Sequence, residues 1–161
     1  MSSITGDITV PGDKSISHRA IILSSMIYAT TDIQNILLSD DIYSTICVMR
    51  ELGVNISVNA HQRSAVIEGV GLRGLKAPTK KLDCKNSGTT MRLLCGLLCA
   101  QPFNSTLIGD DSLSKRPMLR VVEPLRLMGA QINLSENNTA PIAIVSNQKL
   151  EAINYELLIP S

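Results

Sequence analysis

The chain has 161 residues, 44% hydrophobic and 18% charged, with a formal net charge of +1. That is the composition of an ordinary folded protein with one respectable core, and the near-neutral balance gives no reason to invoke nucleic acid or an anionic membrane as a partner. Three tyrosines, one phenylalanine and no tryptophan require an aliphatic core and argue against a base-stacking platform for single-stranded nucleic acid.

Apolar periodicity, caps and breakers predict, in chain order, a strand over 4–10, a helix over 15–27, a strand over 31–37, a helix over 40–52, and strands over 55–58 and 64–70. The second helix has Ser39 at its N-cap, Asp40 and Asp41 in its first turn, an apolar stripe of Ile42, Ile46 and Met49, and Gly53 just past its end. After a connection over 71–81 rich in Gly, Lys and Pro, the same order recurs: strand 82–84, helix 87–99, strand 105–109, helix 117–128, and strands 131–134 and 142–146. Met91, Leu94, Cys95 and Leu98 form one stripe of this second copy, and Met118, Val121, Val122, Leu125 and Met128 the other. Glu51-Leu52-Gly53-Val54-Asn55-Ile56 and Leu127-Met128-Gly129-Ala130-Gln131-Ile132 lie 76 residues apart, which is too long for a solenoid repeat and reads as a duplicated βαβαββ unit. A third copy begins with a strand over 155–159.

Three helix starts carry the chemistry. In PGDKSISHRA, over 11–20, Gly12 permits a tight turn, and Lys14, Ser15 and Arg19 fall on the first turns of a helix whose N-terminus favours an anion. The segment is not a Walker loop, because Asp13 precedes Lys14 and Ile8 stands where the first glycine should be. In DCKNSGTTMR, over 83–92, Gly88 lets backbone N–H groups approach an anion closely. In GDDSLSKRPM, over 109–118, Lys115 and Arg116 precede Pro117, which is suited to the first helical position.

Other chemistry-bearing residues receive plainer readings. Cys47, Cys84, Cys95 and Cys99 include no C-x-x-C pair and read as buried reduced thiols; His18 and His61 are too isolated for a zinc site, with His18 expected in a hydrogen-bonded structural role. Asp110 and Asp111 read as turn residues; Arg92 and Lys115 read either as reinforcing a positive field or, by default, as a helix-face ion-pair partner and a solvated side chain respectively. Apolar runs such as 93–100 fall far short of the roughly 18–20 residues of a membrane helix. The first residues lack the charged and apolar regions of a signal peptide, so a cytoplasmic location is expected, or a plastid one after loss of a transit peptide.

The segments PGDKSISHRA, NSGTTMR and GDDSLSKRPM, in this order and spacing, resemble the 5-enolpyruvylshikimate-3-phosphate synthase (3-phosphoshikimate 1-carboxyvinyltransferase) family over about 4–161. Lys14-Ser15 favours this branch over related enzymes acting on UDP-N-acetylglucosamine, where a Lys-Asn pair is expected. The resemblance implies an α/β (α+β) fold in which each of two domains has three βαβαββ units, helices inside and sheets outside, with helix N-termini facing the interdomain cleft. On that expectation residues 1–11 are an opening strand associated with the second domain. Residues 12–161 are then a partial N-terminal domain, with unit one over about 12–70, unit two over about 82–147 and the start of unit three over about 153–161. A one-domain protein is not expected to stop there, so the chain is expected to be a truncated part of one more than twice as long, partnered by its C-terminal domain.

The implied activity is transfer of the enolpyruvyl group of phosphoenolpyruvate to the 5-hydroxyl of shikimate 3-phosphate, releasing phosphate, in the shikimate pathway of aromatic amino acid biosynthesis. No metal ion or other cofactor is implied, and the family's phosphoenolpyruvate pocket also takes glyphosate. By match of motif Lys14 touches both substrates, Ser15, Arg19 and Ser161 hold shikimate 3-phosphate, Gly88 and Arg116 hold phosphoenolpyruvate, and Asn86 and Thr89 support the second loop. The family's proton-transfer groups belong to the other domain, so no catalytic residue is assigned in this chain and it is expected to be inactive alone. The alternative is a stand-alone module that binds a phosphorylated ligand without catalysis.

Overall fold

The computed structural model describes residues 5–8, 10–146 and 149–156. The first unit runs α1 (Lys14–Ser25), β1 (Thr30–Ile33), α2 (Asp40–Glu51), β2 (Asn55–Asn59) and β3 (Ser64–Glu68). The second runs β4 (Leu82–Asp83), α3 (Gly88–Cys99), β5 (Ser105–Ile108), a 3-10 turn (Leu113–Lys115), α4 (Leu119–Leu127), β6 (Gln131–Asn133) and β7 (Ile142–Val145).

Each unit builds its own sheet. In the first, β3 pairs antiparallel with both β1 and β2, so Ile67 stands opposite Thr31 on one side and Ile56 on the other. In the second, β7 takes the same central place between β5 and β6, and β4 adds a parallel edge strand on β5. The duplication persists in detail at the same 76-residue offset. Gly53 and Gly129 both follow a helix with positive φ, 89° and 97°, a conformation that costs glycine little. Arg50 Nε donates to Ile56 O at 3.1 Å, and Arg126 Nε to Ile132 O at 3.0 Å.

The helices form the inner layer: α1 packs on α2, α2 on α3, and α3 on α4, while β3 covers α1 and β5 and β7 cover α3. Ile21, Ile42, Ile46, Met49, Met91, Leu94 and Leu98 are fully buried between the layers and meet Ile67, Leu107 and Ile142 from the sheets. Each such side chain contributes roughly 1.5–3 kcal/mol by leaving water. Among the described residues no aromatic side chain is fully buried, and no helix is long and apolar enough to cross a membrane.

Several expectations need correction. The described part of the 4–10 segment is not a strand: Ile8 and Val10 are exposed, and a strand requires a ladder partner, whereas Val10 is held through its carbonyl by the Asn35 side chain at 3.1 Å. β1 stops at Ile33 because Asn35 turns left-handed, φ 53°, and Ile36 N–H then bonds Arg63 O. Pro117 does not begin α4; Met118 N–H is tied to Asn138 O at 3.0 Å, and that tertiary bond sets the helix start at Leu119. Cys84, Cys95 and Cys99 are buried free thiols, with Cys84 pushed up to about 12 by burial, but Cys47 is exposed because it lies off the α2 stripe. Tyr155 and Glu156 carry no strand, and the rest of that expected strand, with Ser161, lies outside the described residues.

Candidate anion-binding site

The start of α1 is set by Gly12, where a Cβ would run into the Asn35 carbonyl, and by Asp13, whose Oδ1 accepts Ile16 N–H at 2.7 Å. Ser17 Oγ donates to Asp13 O at 2.7 Å and accepts Leu37 N–H at 3.0 Å, fastening this turn to the chain beyond β1. Asp13 therefore already takes part of the positive helix end, so any anion bound here must rely on side chains. Lys14, Ser15 and Arg19 are all exposed there.

Lys14 is ion-paired with Asp41 in the first turn of α2. Sequence reasoning read Asp41 as a helix-dipole residue and missed this contact, which joins residues 27 apart. Ser39 holds the N-cap position of α2, yet its hydroxyl makes no capping bond and is buried without a partner among the described residues.

The start of α3 is better defined. Lys85 turns left-handed, φ 51°, its N–H bonding Asp83 Oδ1 at 2.8 Å, and Ser87 caps the helix by accepting Thr90 N–H at 3.2 Å. Asn86 bridges to the next loop: its Nδ2 donates to Asp110 Oδ2 at 2.7 Å, and its Oδ1 accepts from Arg116 Nη2 at 3.0 Å. Asp110 in turn accepts Leu113 N–H at 2.7 Å, the turn role its position suggests. Thr89 lies half-buried in the first turn of α3, and Lys115 and Asp111 are exposed.

Gly88 is buried and faces two guanidinium groups: a Cβ there would lie 2.6 Å from Arg92 Nη1 and 3.3 Å from Arg116 Nη1. Arg92 is not the helix-face ion-pair partner expected; its Nη2 donates to Pro117 O at 3.3 Å. Burial, then the charges of Arg116 and Arg120, make Arg92 easier to deprotonate than usual. Among the described residues no carboxylate lies within ion-pair range of Arg92, Arg116 or Arg120, so their charge is left for something else to balance. A mostly apolar groove of about 1040 Å³, lined in part by Arg92, Arg120, Val121 and Leu125, opens beside them.

The two starts are contiguous. Asp41 pairs with Lys14 through its carboxylate, and its carbonyl oxygen lies 3.4 Å from Thr90 Oγ1. Lys14, Ser15 and Gly88 thus lie at helix starts that meet around one residue, while Arg116 reaches the same place through Asn86. His18 is fully buried one turn into α1, bonded to Thr45 at 2.7 Å, and His61 is exposed. Among the described residues no group of three His, Cys, Asp or Glu could hold a metal ion.

An αβαββ scaffold built twice, the second copy opened by β4, collects cations where its helices begin, an arrangement of the class suited to holding small anions. The chain matches the family model for EPSP synthase (3-phosphoshikimate 1-carboxyvinyltransferase) over residues 1–161. It is 46% identical over 158 residues to the 3-phosphoshikimate 1-carboxyvinyltransferase of Coxiella burnetii, covering 98% of this chain and 36% of that protein. The corresponding protein of Oceanobacillus iheyensis is 50% identical over 159 residues, covering 99% and 37%. A solved EPSP synthase from Acinetobacter baumannii matches with a TM-score of 0.93 and 47% identity, over 97% of this chain and 35% of that one. The chain belongs to the EPSP synthase family, and it spans about a third of the length of the relatives it matches.

Proposed function

We propose that this chain supplies one wall of an active site that transfers the enolpyruvyl group of phosphoenolpyruvate to the 5-hydroxyl of shikimate 3-phosphate. The observation that carries this reading is Arg92 and Arg116 converging on Gly88, with no carboxylate in ion-pair range of either among the described residues, next to a second cationic helix start. In the reaction the hydroxyl gives up its proton as its oxygen adds to C2 of phosphoenolpyruvate and C3 takes a proton; the tetrahedral adduct then expels phosphate as C3 loses a proton, which restores the double bond. Both substrates are multiply anionic, so the site must offset their repulsion while holding hydroxyl and C2 in contact.

On this reading Ser15, Arg19 and, by its motif, Ser161 hold the 3-phosphate, Gly88 and Arg116 hold phosphoenolpyruvate, and Lys14 touches both after exchanging Asp41 for substrate oxygens. Asn86 steers Arg116, and Thr89 supports the same loop. Asp110 is engaged in its turn, so no proton transfer is given to it; those groups belong to a further domain in a protein of the relatives' length, working in the cytoplasm. The 161-residue chain alone is expected to release no phosphate. The test is phosphate release by the complete enzyme with both substrates present. Loss of turnover in folded Lys14→Met and Arg116→Ala variants supports the reading, and unchanged turnover in both overturns it.

A further inference from the structure

A buried polar seam runs between the two cationic helix starts. His18 Nδ1 lies 2.7 Å from Thr45 Oγ1, Thr45 Oγ1 lies 2.7 Å from Thr90 Oγ1, and Thr90 Oγ1 donates to Ser87 Oγ at 2.7 Å. All four residues are fully buried in a core that is otherwise largely aliphatic. Polar groups in such surroundings are costly unless their bonds are made, and well-made chains of them are strongly directional.

Counting hydrogens orders the chain. Thr90 has one hydroxyl hydrogen and two acceptors for it, Ser87 Oγ at 2.7 Å and the more distant Asp41 carbonyl at 3.4 Å, so with either of them Thr45 must donate to Thr90 and accept from His18 Nδ1–H. The proton is thereby fixed on Nδ1, and Nε2 is left buried without a partner among the described residues.

Each member stands within about one turn of a site residue on its own helix. His18 is four residues beyond Lys14 on α1, Thr45 four beyond Asp41 on α2, and Thr90 two beyond Gly88 on α3. Apolar contact between helices is non-directional and tolerates small slides, whereas hydrogen bonds of this length hold three helix starts to one spacing.

We infer that His18, Thr45 and Thr90 are positioning residues that fix the separation between the Lys14–Ser15 anion site and the Gly88 anion site. The inference rests on the proposed transfer reaction, in which each anion has its own cations but reaction needs the two held in register. Loss of the seam then lowers turnover far more than it weakens the binding of either substrate.

The experiment compares Thr45→Val and Thr90→Val, which keep shape and lose the hydroxyl, with Thr45→Ser and Thr90→Ser, in the complete enzyme and well below each variant's melting temperature. The expected result is a fall in kcat of about ten- to a hundredfold in the valine variants, with both KM values within about threefold of wild type and the serine variants close to wild type. Unchanged kcat in both valine variants, equal losses in valine and serine variants, or rises in KM that account for the whole effect would overturn the inference. Should a valine variant not fold, the same comparison is made with His18→Asn, whose amide nitrogen can replace Nδ1, and His18→Gln, whose amide lies one bond further out. Asparagine is expected to keep kcat and glutamine to lose about tenfold, and equal kcat in the two would overturn the inference. A wild-type enzyme without enolpyruvyl transfer sinks the functional reading and this inference together, whereas an active wild type with unmoved variants sinks this inference alone.

Discussion

Lys14 of α1 and Asp41 of α2 form an ion pair in which the lysine side chain is about half exposed. Pairs that open to solvent contribute only about 0–1 kcal/mol, so a phosphate dianion can displace the carboxylate. Asp41 is then a competitor for the cation the anion needs. Asp41→Asn is expected to tighten the binding of inorganic phosphate at low salt by a few-fold, about the strength of one exposed pair. Calorimetric titration checks this, and weaker binding in the variant would mean that Asp41 orients Lys14 rather than competing for it.

Gly88 has no left-handed φ, so its glycine answers a need for space. A methyl group there would push on the guanidinium ends of Arg92 and Arg116, which are mobile, rather than on backbone. Gly88→Ala is expected to fold normally and to displace the two cations, weakening phosphoenolpyruvate and weakening the longer glyphosate more, with a shift of about 1–3 kcal/mol. The measurement is the glyphosate inhibition constant against the phosphoenolpyruvate KM in the complete enzyme. Equal changes in the two would show that the space at Gly88 does not discriminate between the two ligands.

Burial holds the His18 imidazole below its ordinary range, with Asp41 opposing the shift and Lys14 adding to it. Protonation would place a second N–H on Nε2, where no described residue accepts it. In the unfolded chain His18 titrates near 6.5, so below about that pH the unfolded state binds more protons than the folded one. Its contribution to stability is complete above this value and declines as pH falls toward the lower folded pKa. Asp83, lowered by Lys85 against its own desolvation, and Asp110, lowered by the Leu113 N–H and Asn86, lose their contributions at more acid pH, around 4 and below. Urea unfolding at pH 7.5 and pH 5.5 is expected to show a loss of stability that is smaller in His18→Asn. The same loss in both proteins would show that other groups carry it.

Local signals made much of this legible. Apolar stripes mark α2 and α3, and Gly53 and Gly129 end α2 and α4 where left-handed backbone favours glycine, whereas the caps that start α1 and α3, Asp13 and Ser87, emerge only in the structure. The features that escaped depend on residues distant in sequence. The start of α4 is set by Asn138, twenty residues beyond Met118, and the described part of the 4–10 segment is not a strand, the Val10 carbonyl meeting the Asn35 side chain in place of a neighbouring strand. At the site, Lys14, Gly88 and Arg116 were visible as cationic or small residues at helix starts. The sequence leaves Arg92 between a cation of the cleft and a helix-face ion pair, because nothing local shows that its guanidinium turns back toward Gly88. The seam from His18 to Ser87 was out of reach for the same reason, since its helix-to-helix links join residues 27 and 45 apart and threonine on a helix carries no sign of its partner.

Residue-resolved titration by NMR tests the central claim most directly, because it asks which amides sense each substrate. Shikimate 3-phosphate is expected to shift amides over 12–19, and phosphoenolpyruvate those over 86–92 and 113–120, with affinity near millimolar, or about 4 kcal/mol, that weakens as salt is added. Shifts confined to the outer sheets, over 55–68 and 131–145, or no saturable shift with either compound, would contradict the assignment of these helix starts as the binding site.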